Sequence, residues 1–423
     1  MRRFAALILA PYLTVTAELD DYRWLISRDA EPYLQAAAAC GGSPADVARF
    51  RRELTPARTH LVLEQAELRR RARGKFVRAD AMFFTRRGLE QSTDQTVAAY
   101  KAARLVPHAA PHGPVGDLCC GIGGDLVALA AALASVSPYA KVIGVDADPV
   151  VALLAAANLA VHGYDTSSVL ATDVLSEPVQ SMLREAAAWH IDPDRRPTGE
   201  RRTRLEAFSP SLEQLQQLLQ LTPAVAIKLA PASELPAKWI GHMEREWIGF
   251  QGECRQQMAW SEPLARFPGC RVATVLDAAS PRTVVGPPDE PAPVPVAGAA
   301  SQYLYEPHAA VLAAGLADVL AAEHGLKRLT ANVAYFTGEQ PVRDPAVTTF
   351  ELIEVLSLRP KEIAPWLAAR DLGRVEVKKR GVDIDPLKLQ RQWQGRGEGA
   401  ATLIIAPVAG RVMVHVTRRL STH

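Results

Sequence analysis

The chain reads V-G-D-L-C-C-G-I-G-G-D from Val115 to Asp125, and this stretch decides the fold. An apolar run with helical spacing follows it, and a second short apolar segment, residues 142–145, ends in Asp146. The order strand, glycine turn, helix, strand and acid is typical of a βαβ unit that binds a nucleoside. In such units the glycines let a ligand approach the backbone closely, and the acid reaches ribose hydroxyls. The stretch therefore predicts an α/β sheet with a ligand at its first turn.

The letters from Asp117 to Gly124 resemble motif I of the class I S-adenosylmethionine (SAM) methyltransferases. The form D-L-x-C-G-x-G-G is shared by RNA methyltransferases, among them trimethylguanosine-synthase-like enzymes and RNA uracil-5 methyltransferases. Cys119 stands where many methyltransferases have a glycine. The resemblance implies a Rossmann-like class I methyltransferase sheet and SAM as the cofactor.

The resemblance also implies where SAM is bound. The glycine turn would hold its methionine end, the acid after the second strand its ribose, and the acid after the third strand its adenine. The expected cofactor-binding residues are Asp117, Cys119, Gly121 and Gly123 of the turn, Asp146 and Ala147 after the second strand, and Asp173 and Val174 after the third. Residues 82–93 resemble the segment that closes over the SAM pocket in these enzymes.

A predicted fourth strand, residues 187–191, ends in the letters D-P-D-R-R. This ending resembles motif IV of RNA methyltransferases, which reads D-P-P-R or D-P-A-R. The resemblance implies that Asp192 accepts a hydrogen bond from a target base while Pro193 stiffens the loop. Asp194 replaces the usual apolar or small third residue and adds a second carboxylate beside the cleft. We expect Asp192, Pro193 and Asp194 to be the catalytic residues.

The sequence pattern divides the chain into four expected regions. They are a mostly helical region at 1–105, a methyltransferase domain at 106–280, a proline-rich linker at 281–299 and an α+β region at 300–423. The last region resembles the THUMP-like domain that follows a class I methyltransferase in some bacterial proteins. The matching parts are Y-L-Y-E-P at 303–307 and V-E-V-K-K-R-G at 375–381. The expected fold class is α/β, with an N-terminal helical region and a C-terminal α+β THUMP-like domain.

Basic segments are candidate contacts for RNA. The loop after motif IV is rich in arginine, which suits a phosphate backbone better than a free metabolite. The expected RNA-binding residues are Arg195, Arg196, Arg201, Arg202, Lys378, Lys379 and Arg380. For residues 378–380 the alternative is a charged β-turn. Residues 69–78 hold six basic residues and no acid; they are either a well-capped helix end or a phosphate-binding edge on which Phe76 stacks.

Composition excludes some other classes of protein. The 423 residues are 48% hydrophobic and carry a net charge of +2, as in an ordinary soluble protein, so global charge does not indicate nucleic-acid binding. Five cysteines without a C-x-x-C pair indicate neither a disulfide framework nor a metal site. Residues 1–17 imitate a signal peptide, but we favour a helix or strand that packs on the protein. We therefore expect a cytoplasmic protein with no metal and no membrane partner.

The combined motifs predict a methyltransferase that modifies a base nitrogen of structured RNA, either tRNA or rRNA. A carbon-5 uracil reaction would need a cysteine nucleophile, and the residues around Cys254 do not form an activated thiol loop. Two alternatives stay open. Low overall charge favours a methyltransferase of small molecules, and the departures at Cys119 and Asp194 favour a non-catalytic SAM-binding RNA adaptor.

Overall fold

The computed structural model describes residues 18–40, 43–109, 113–136, 141–166, 168–194, 205, 208–222, 224–277, 279–287 and 291–420. The chain forms two compact units. The first comprises the described residues up to Leu229 with Ser233–Leu235 and Ala259–Ala265, and the second comprises Ala230–Ala232, Pro236–Met258 and the described residues from Arg266 onwards. The four expected regions stay a prediction. Residues 1–17, which we expected to form a packed helix or strand, lie outside the described residues.

The first unit begins with helices that have clear start signals. They are α1 (Glu31–Ala39), α2 (Pro44–Glu53), α3 (Pro56–Ala72), α4 (Arg86–Gln91) and α5 (Gln95–Ala109). The Ser43 side chain accepts the Asp46 N–H in front of α2. Thr55 accepts the Arg58 N–H in front of α3. Each cap precedes a proline at the first helical position, where the missing N–H costs nothing. The expected N-terminal helical region is therefore present.

Phe76 lies in the apolar core of this helical part. Its side chain is 5% exposed, and its ring centroid lies 5.9 Å from that of Phe84. The same core holds Leu68 of α3 and reaches Leu154. The expectation that Phe76 stacks on a base is therefore wrong, because its ring is enclosed by the protein.

Five parallel strands form the centre of the first unit. They are β1 (Val115–Leu118), β2 (Val142–Asp146), β3 (Val169–Ala171), β4 (Ala188–Ile191) and β5 (Val225–Leu229). The connecting helices are α6 (Gly124–Val136), α7 (Pro149–Val161), α8 (Glu177–Glu185) and α9 (Leu212–Leu221). The order across the sheet is β3-β2-β1-β4-β5, and every neighbouring pair is parallel. The order reverses between β1 and β4, which is where such sheets bind ligands.

The first strands of the second unit pair in both parallel and antiparallel orientation. Its elements are α10 (Ala237–Ile240), β6 (Glu244–Phe250), β7 (Glu253–Trp260), β8 (Arg271–Val275) and β9 (Arg282–Gly286). The order is β7-β6-β8-β9, with β6 and β8 parallel and β8 and β9 antiparallel. The last two residues of β7 belong to the first unit, where they follow β5 in the strand order. This is the Rossmann-like sheet that the sequence predicts, and it is mixed rather than all parallel.

A seven-stranded sheet forms the rest of the second unit. Its strands are β10 (Tyr303–Pro307), β11 (Lys327–Thr330), β12 (Val333–Gly338), β13 (Val347–Ser357), β14 (Leu372–Lys379), β15 (Gly399–Val408) and β16 (Arg411–Arg419). Its helices are α11 (Ala309–Ala313), α12 (Ala317–Glu323), α13 (Pro360–Ala368) and α14 (Pro386–Trp393). The order is β11-β12-β10-β13-β16-β15-β14, and only β14 and β15 run parallel. The predicted C-terminal α+β architecture is confirmed.

Gly116 permits a close approach inside the first sheet. It pairs with Trp189 of β4, and a Cβ at position 116 would lie 1.9 Å from the indole ring. Trp189 is fully buried, so the ring cannot move aside without disturbing the core.

We expect Gly116→Ala to lower the free energy of unfolding by about 1–3 kcal/mol, because the added methyl overpacks the core. Urea denaturation of the full chain measures this loss. Gly74→Ala is the matched control, since a Cβ there meets no atom within 4 Å. Equal stability of the two variants would contradict the packing argument.

Candidate active site

A cavity of about 990 Å³ lies where the carboxyl ends of β1 to β4 meet. Loops that follow parallel strands share one edge of the sheet, so distant parts of the chain come together there. The cavity wall includes Cys119–Ile122 after β1, Asp146–Val151 after β2, Asp173–Leu175 after β3 and Asp192–Asp194 after β4. Its size is at the upper end of the usual range for small-molecule pockets, about 300–1,000 Å³.

Nine of the eleven expected cofactor-binding and catalytic residues line this cavity. They are Cys119, Gly121, Asp146, Ala147, Asp173, Val174, Asp192, Pro193 and Asp194. The other two, Asp117 and Gly123, are not among its lining residues, and their contact with the methionine end stays a prediction. Asp117 is 1% exposed within β1 and contacts His190. Gly123 faces α7, where its Cβ would lie 3.3 Å from Ala155.

The turn after β1 has a left-handed backbone at alternate residues. The φ angles are +54° at Cys119, +56° at Gly121 and +84° at Gly123. A Cβ on Gly121 would meet no protein atom within 4 Å, so a ligand can approach the backbone there. Cys119 adopts this conformation despite its side chain, at a cost of about 1–2 kcal/mol. A glycine would adopt this conformation without that cost.

Asp146 joins the end of β2 to this turn. Its Oδ2 accepts the Gly121 N–H at 2.9 Å, and its Oδ1 accepts the Asp148 N–H at 3.0 Å. Burial raises the pKa of Asp146, while these two hydrogen bonds act in the opposite direction. A carboxylate offers about four acceptor positions, so two more hydroxyl donors can be accommodated.

Residues outside the sheet also line the cavity, and most of them were not expected from the sequence. Tyr22 is 8% exposed, and burial together with nearby acids raises its pKa to about 12. Glu18 and Glu64 lie on the same wall. None of the three belongs to a motif. The segment at 82–93 was expected near the pocket, and Thr85 to Gly88 with Gln91 to Thr93 do line it.

Asp194 lines the cavity and is paired with residues of α4. Its Oδ2 accepts Arg87 Nη2 at 2.7 Å, and its Oδ1 lies 3.5 Å from the Gln91 amide. Its backbone exchanges hydrogen bonds with that of Ser209. The second carboxylate of motif IV therefore connects α4 to the loop after β4.

Asp192 is the end of a chain of buried polar side chains. Lys228 Nζ donates to Asp192 Oδ2 and lies 3.0 Å from Thr93 Oγ1. Thr93 Oγ1 donates to Asp125 Oδ2 at 2.6 Å. Lys101 Nζ lies 2.7 Å from the other oxygen of Asp125. Of these residues, Asp192 was expected to be catalytic and Thr93 belongs to the segment expected near the pocket, whereas the sequence analysis did not single out Lys228, Asp125 or Lys101.

The chain continues deeper into the sheet. Lys101 Nζ lies 3.1 Å from His190 Nε2, and His190 Nδ1 lies 2.7 Å from Asp117 Oδ1. Burial raises the pKa of Asp117 and lowers that of Lys101. Burial alone would also raise the pKa of Asp125, but the cations around it, Lys101 first, bring it well below its usual value.

We expect Asp125→Asn to lower the free energy of unfolding by about 3–5 kcal/mol, since it leaves the buried Lys101 ammonium without its anion. Urea denaturation measures the change. Asp20→Asn is the control, because Asp20 pairs with Arg23 on the surface, where such pairs contribute about 0–1 kcal/mol. A loss below 1 kcal/mol for Asp125→Asn would contradict an ionised pair.

The expected RNA-binding residues fall into two groups. Arg195, Arg196, Arg201 and Arg202 lie outside the described residues. In the second unit, Glu306 pairs with Lys378 at 2.8 Å and with Arg380 at 3.2 Å. Lys379 Nζ donates to the Val382 carbonyl at 3.1 Å.

Two further observations concern the part of the chain that the structure describes. It contains no cluster of three or more His, Cys, Asp or Glu side chains that could hold a metal ion. None of its helices has the length and apolar character needed to cross a membrane.

The strand order, the glycine turn at the switch point and the acids after β2, β3 and β4 define a class I methyltransferase fold. Residues 347–419 match a family described as THUMP domain-like. Over 366 residues the chain is 32% identical to an uncharacterised SAM-dependent methyltransferase of Mycobacterium tuberculosis H37Rv, covering 84% of this chain and 95% of that protein. The corresponding protein of strain CDC 1551 gives the same values.

The chain therefore belongs to the SAM-dependent methyltransferases; it is an enzyme, and its cofactor is SAM. The chain is also similar to a crystal structure from Porphyromonas gingivalis W83, described as that of a candidate methyltransferase. The match covers 96% of this chain and 99% of the other. Its TM-score is 0.73 and its identity is 20%. That likeness shows the fold.

Proposed function

We propose that the enzyme transfers the methyl group of SAM to a base nitrogen of structured RNA, either tRNA or rRNA. The observation that carries this proposal is the carboxylate of Asp192, which lines the cavity in a motif IV position with its Oδ2 engaged by Lys228. Its other oxygen can accept an N–H from the acceptor. A nitrogen oriented in this way directs its lone pair at the methyl group.

The residues of the cavity fit SAM. Gly121 leaves open space at the backbone for the methionine end, and Asp146 has acceptor positions for the ribose hydroxyls. Asp173 and Val174 lie beyond β3, where the adenine is expected. SAM supplies an activated methyl group on a sulfonium sulfur. The protein orients the acceptor through Asp192 and excludes water from the reacting atoms.

Charge at the cavity wall bears on the substrate. The lining holds eight acidic residues and two basic ones. Of the basic pair, Arg87 contacts Asp194 and Arg86 contacts Glu64. Such a wall suits the cationic sulfonium and ammonium of SAM and disfavours a phosphate. An RNA substrate would place only a base inside and keep its phosphates outside, whereas a phosphorylated metabolite would bring them in.

RNA as the substrate class has further support from the C-terminal region. The family match at 347–419 is described as THUMP domain-like. The arginine-rich sequence that follows motif IV would supply phosphate contacts. The second candidate is a small-molecule methyltransferase. Its acceptor would be unphosphorylated and either cationic or neutral.

We expect Asp146→Asn to weaken SAM binding at least tenfold, because one amide oxygen cannot serve two backbone N–H groups and the ribose together. Isothermal titration calorimetry with SAM measures the dissociation constant. Asp194→Asn is the matched control, since Asp194 lies after β4 and pairs with Arg87. Equal affinity of wild type and Asp146→Asn would place the ribose elsewhere.

We expect Asp192→Asn to lower methyl transfer at least 100-fold, because the acceptor loses the carboxylate that orients it, while SAM affinity stays within about twofold. The assay is transfer of tritiated methyl groups to total RNA from cells that lack the gene, with and without RNase. Counts that RNase removes support RNA as the substrate. RNase-resistant counts in small molecules would support the second candidate instead.

A further inference from the structure

We propose that Thr93 and Lys228 are positioning residues that hold the Asp192 carboxylate in the orientation needed to accept the N–H of the methyl acceptor. This inference rests on the proposed function, because it assigns Asp192 to the acceptor. Lys228 belongs to no motif of the sequence, and Thr93 is the last residue of the segment expected near the pocket. Both are buried: Thr93 is 6% exposed and Lys228 is 4% exposed, whereas the Asp192 side chain is 25% exposed at the cavity.

The direction of each hydrogen bond near Asp192 follows from the groups involved. A lysine ammonium has three donors and no acceptor. Lys228 therefore donates both to Asp192 Oδ2 and to Thr93 Oγ1. The single hydroxyl hydrogen of Thr93 is then left for Asp125 Oδ2. Thr93 thus connects the ammonium that binds Asp192 to a carboxylate held deeper in the protein.

The same reasoning fixes the far end of the chain. The Lys101 ammonium can only donate, so His190 Nε2 accepts from it. The proton of a neutral His190 is then on Nδ1 and is donated to Asp117 Oδ1. Every link from Asp117 to Asp192 therefore has one donor and one acceptor. Asp192 is the member of this chain whose carboxylate is most open to the cavity.

A chain of this kind contributes orientation more than stability. Buried ion pairs add little net stability, because the cost of removing each charge from water offsets their attraction. They do restrict rotation, since turning Asp192 away would leave the Lys228 ammonium buried beside Thr93 alone. With Oδ2 fixed by Lys228, Oδ1 is directed to the acceptor. A misplacement of the acceptor by about 1 Å can lower the rate up to 100-fold.

The test compares two substitutions of Thr93 that differ in one functional group. Thr93→Val keeps the shape and removes the hydroxyl, whereas Thr93→Ser keeps the hydroxyl. We expect Thr93→Val to lower kcat for RNA methylation at least tenfold with the KM for SAM within about twofold, and Thr93→Ser to stay within about threefold of wild type. Thr96→Val, on the exposed first turn of α5, is the matched control.

Two kinetic outcomes would overturn the inference. One is equal kcat for Thr93→Val and Thr93→Ser, which would mean that the hydroxyl does not act on Asp192. The other is a parallel loss of SAM affinity and kcat in Thr93→Val, which would mean a structural role for the wall of the cavity.

Thermal unfolding tests the inference without any acceptor. Thr93 and Asp192 share Lys228 as a partner, so the Tm shifts of Thr93→Val and Asp192→Asn should not add in the double variant. Additive shifts would overturn the inference, because the two residues would then be independent. If wild type transfers no label to RNA, the RNA proposal fails, and the Tm comparison still decides whether Thr93 acts on Asp192.

Discussion

The hydrogen bond from the Gly121 N–H to the Asp146 carboxylate joins the ends of two neighbouring strands, and the cavity depends on it. This N–H belongs to the left-handed turn between β1 and α6, and a backbone N–H that is shielded from water needs a hydrogen-bond acceptor. Asp146 provides one because β2 ends in register with β1. The same carboxylate also accepts the N–H of Asp148, the residue that precedes α7. One side chain therefore sets the shape of the cofactor side of the cavity.

The carboxylates that line the cavity have partners of two kinds. The carboxylates after β4 are each matched by a cation from a separate element, Asp192 by Lys228 of β5 and Asp194 by Arg87 of α4. Asp146, Asp148 and Asp173, at or after the ends of β2 and β3, accept backbone N–H groups instead. The acids after β4 are thus ion-paired, whereas these three are held by main-chain donors. In the function proposed above, this difference distinguishes the residues that face the cationic cofactor from those that face the acceptor.

The sequence predicted the parts of the site that depend on short-range patterns. The glycine turn, the acid after β2 and the Asp-Pro ending of β4 lie within a few residues of strand ends. There the hydrophobic periodicity of the strand and the turn residues that follow it give clear signals. The buried contacts of Thr93 and Lys101 could not be found in this way, because they join residues 32 and 89 positions apart, Thr93 to Asp125 and Lys101 to His190. The buried contact of Asp117 could not be predicted for a related reason. The motif gives its position in β1, but its contact with His190 depends on the pairing of β1 with β4.

The second unit shows how paired charges limit an inference from basic residues. Glu306 belongs to the first segment that resembles a THUMP-like domain, and Lys378 and Arg380 belong to the second. The ion pairs between them hold the two segments together, and the Arg380 guanidinium also lies over the Tyr335 ring. Electrostatic affinity for RNA grows with the number of cations that are free to neutralise phosphates. Because Lys378 and Arg380 are already paired with Glu306, they contribute less to such an affinity than their charge alone suggests.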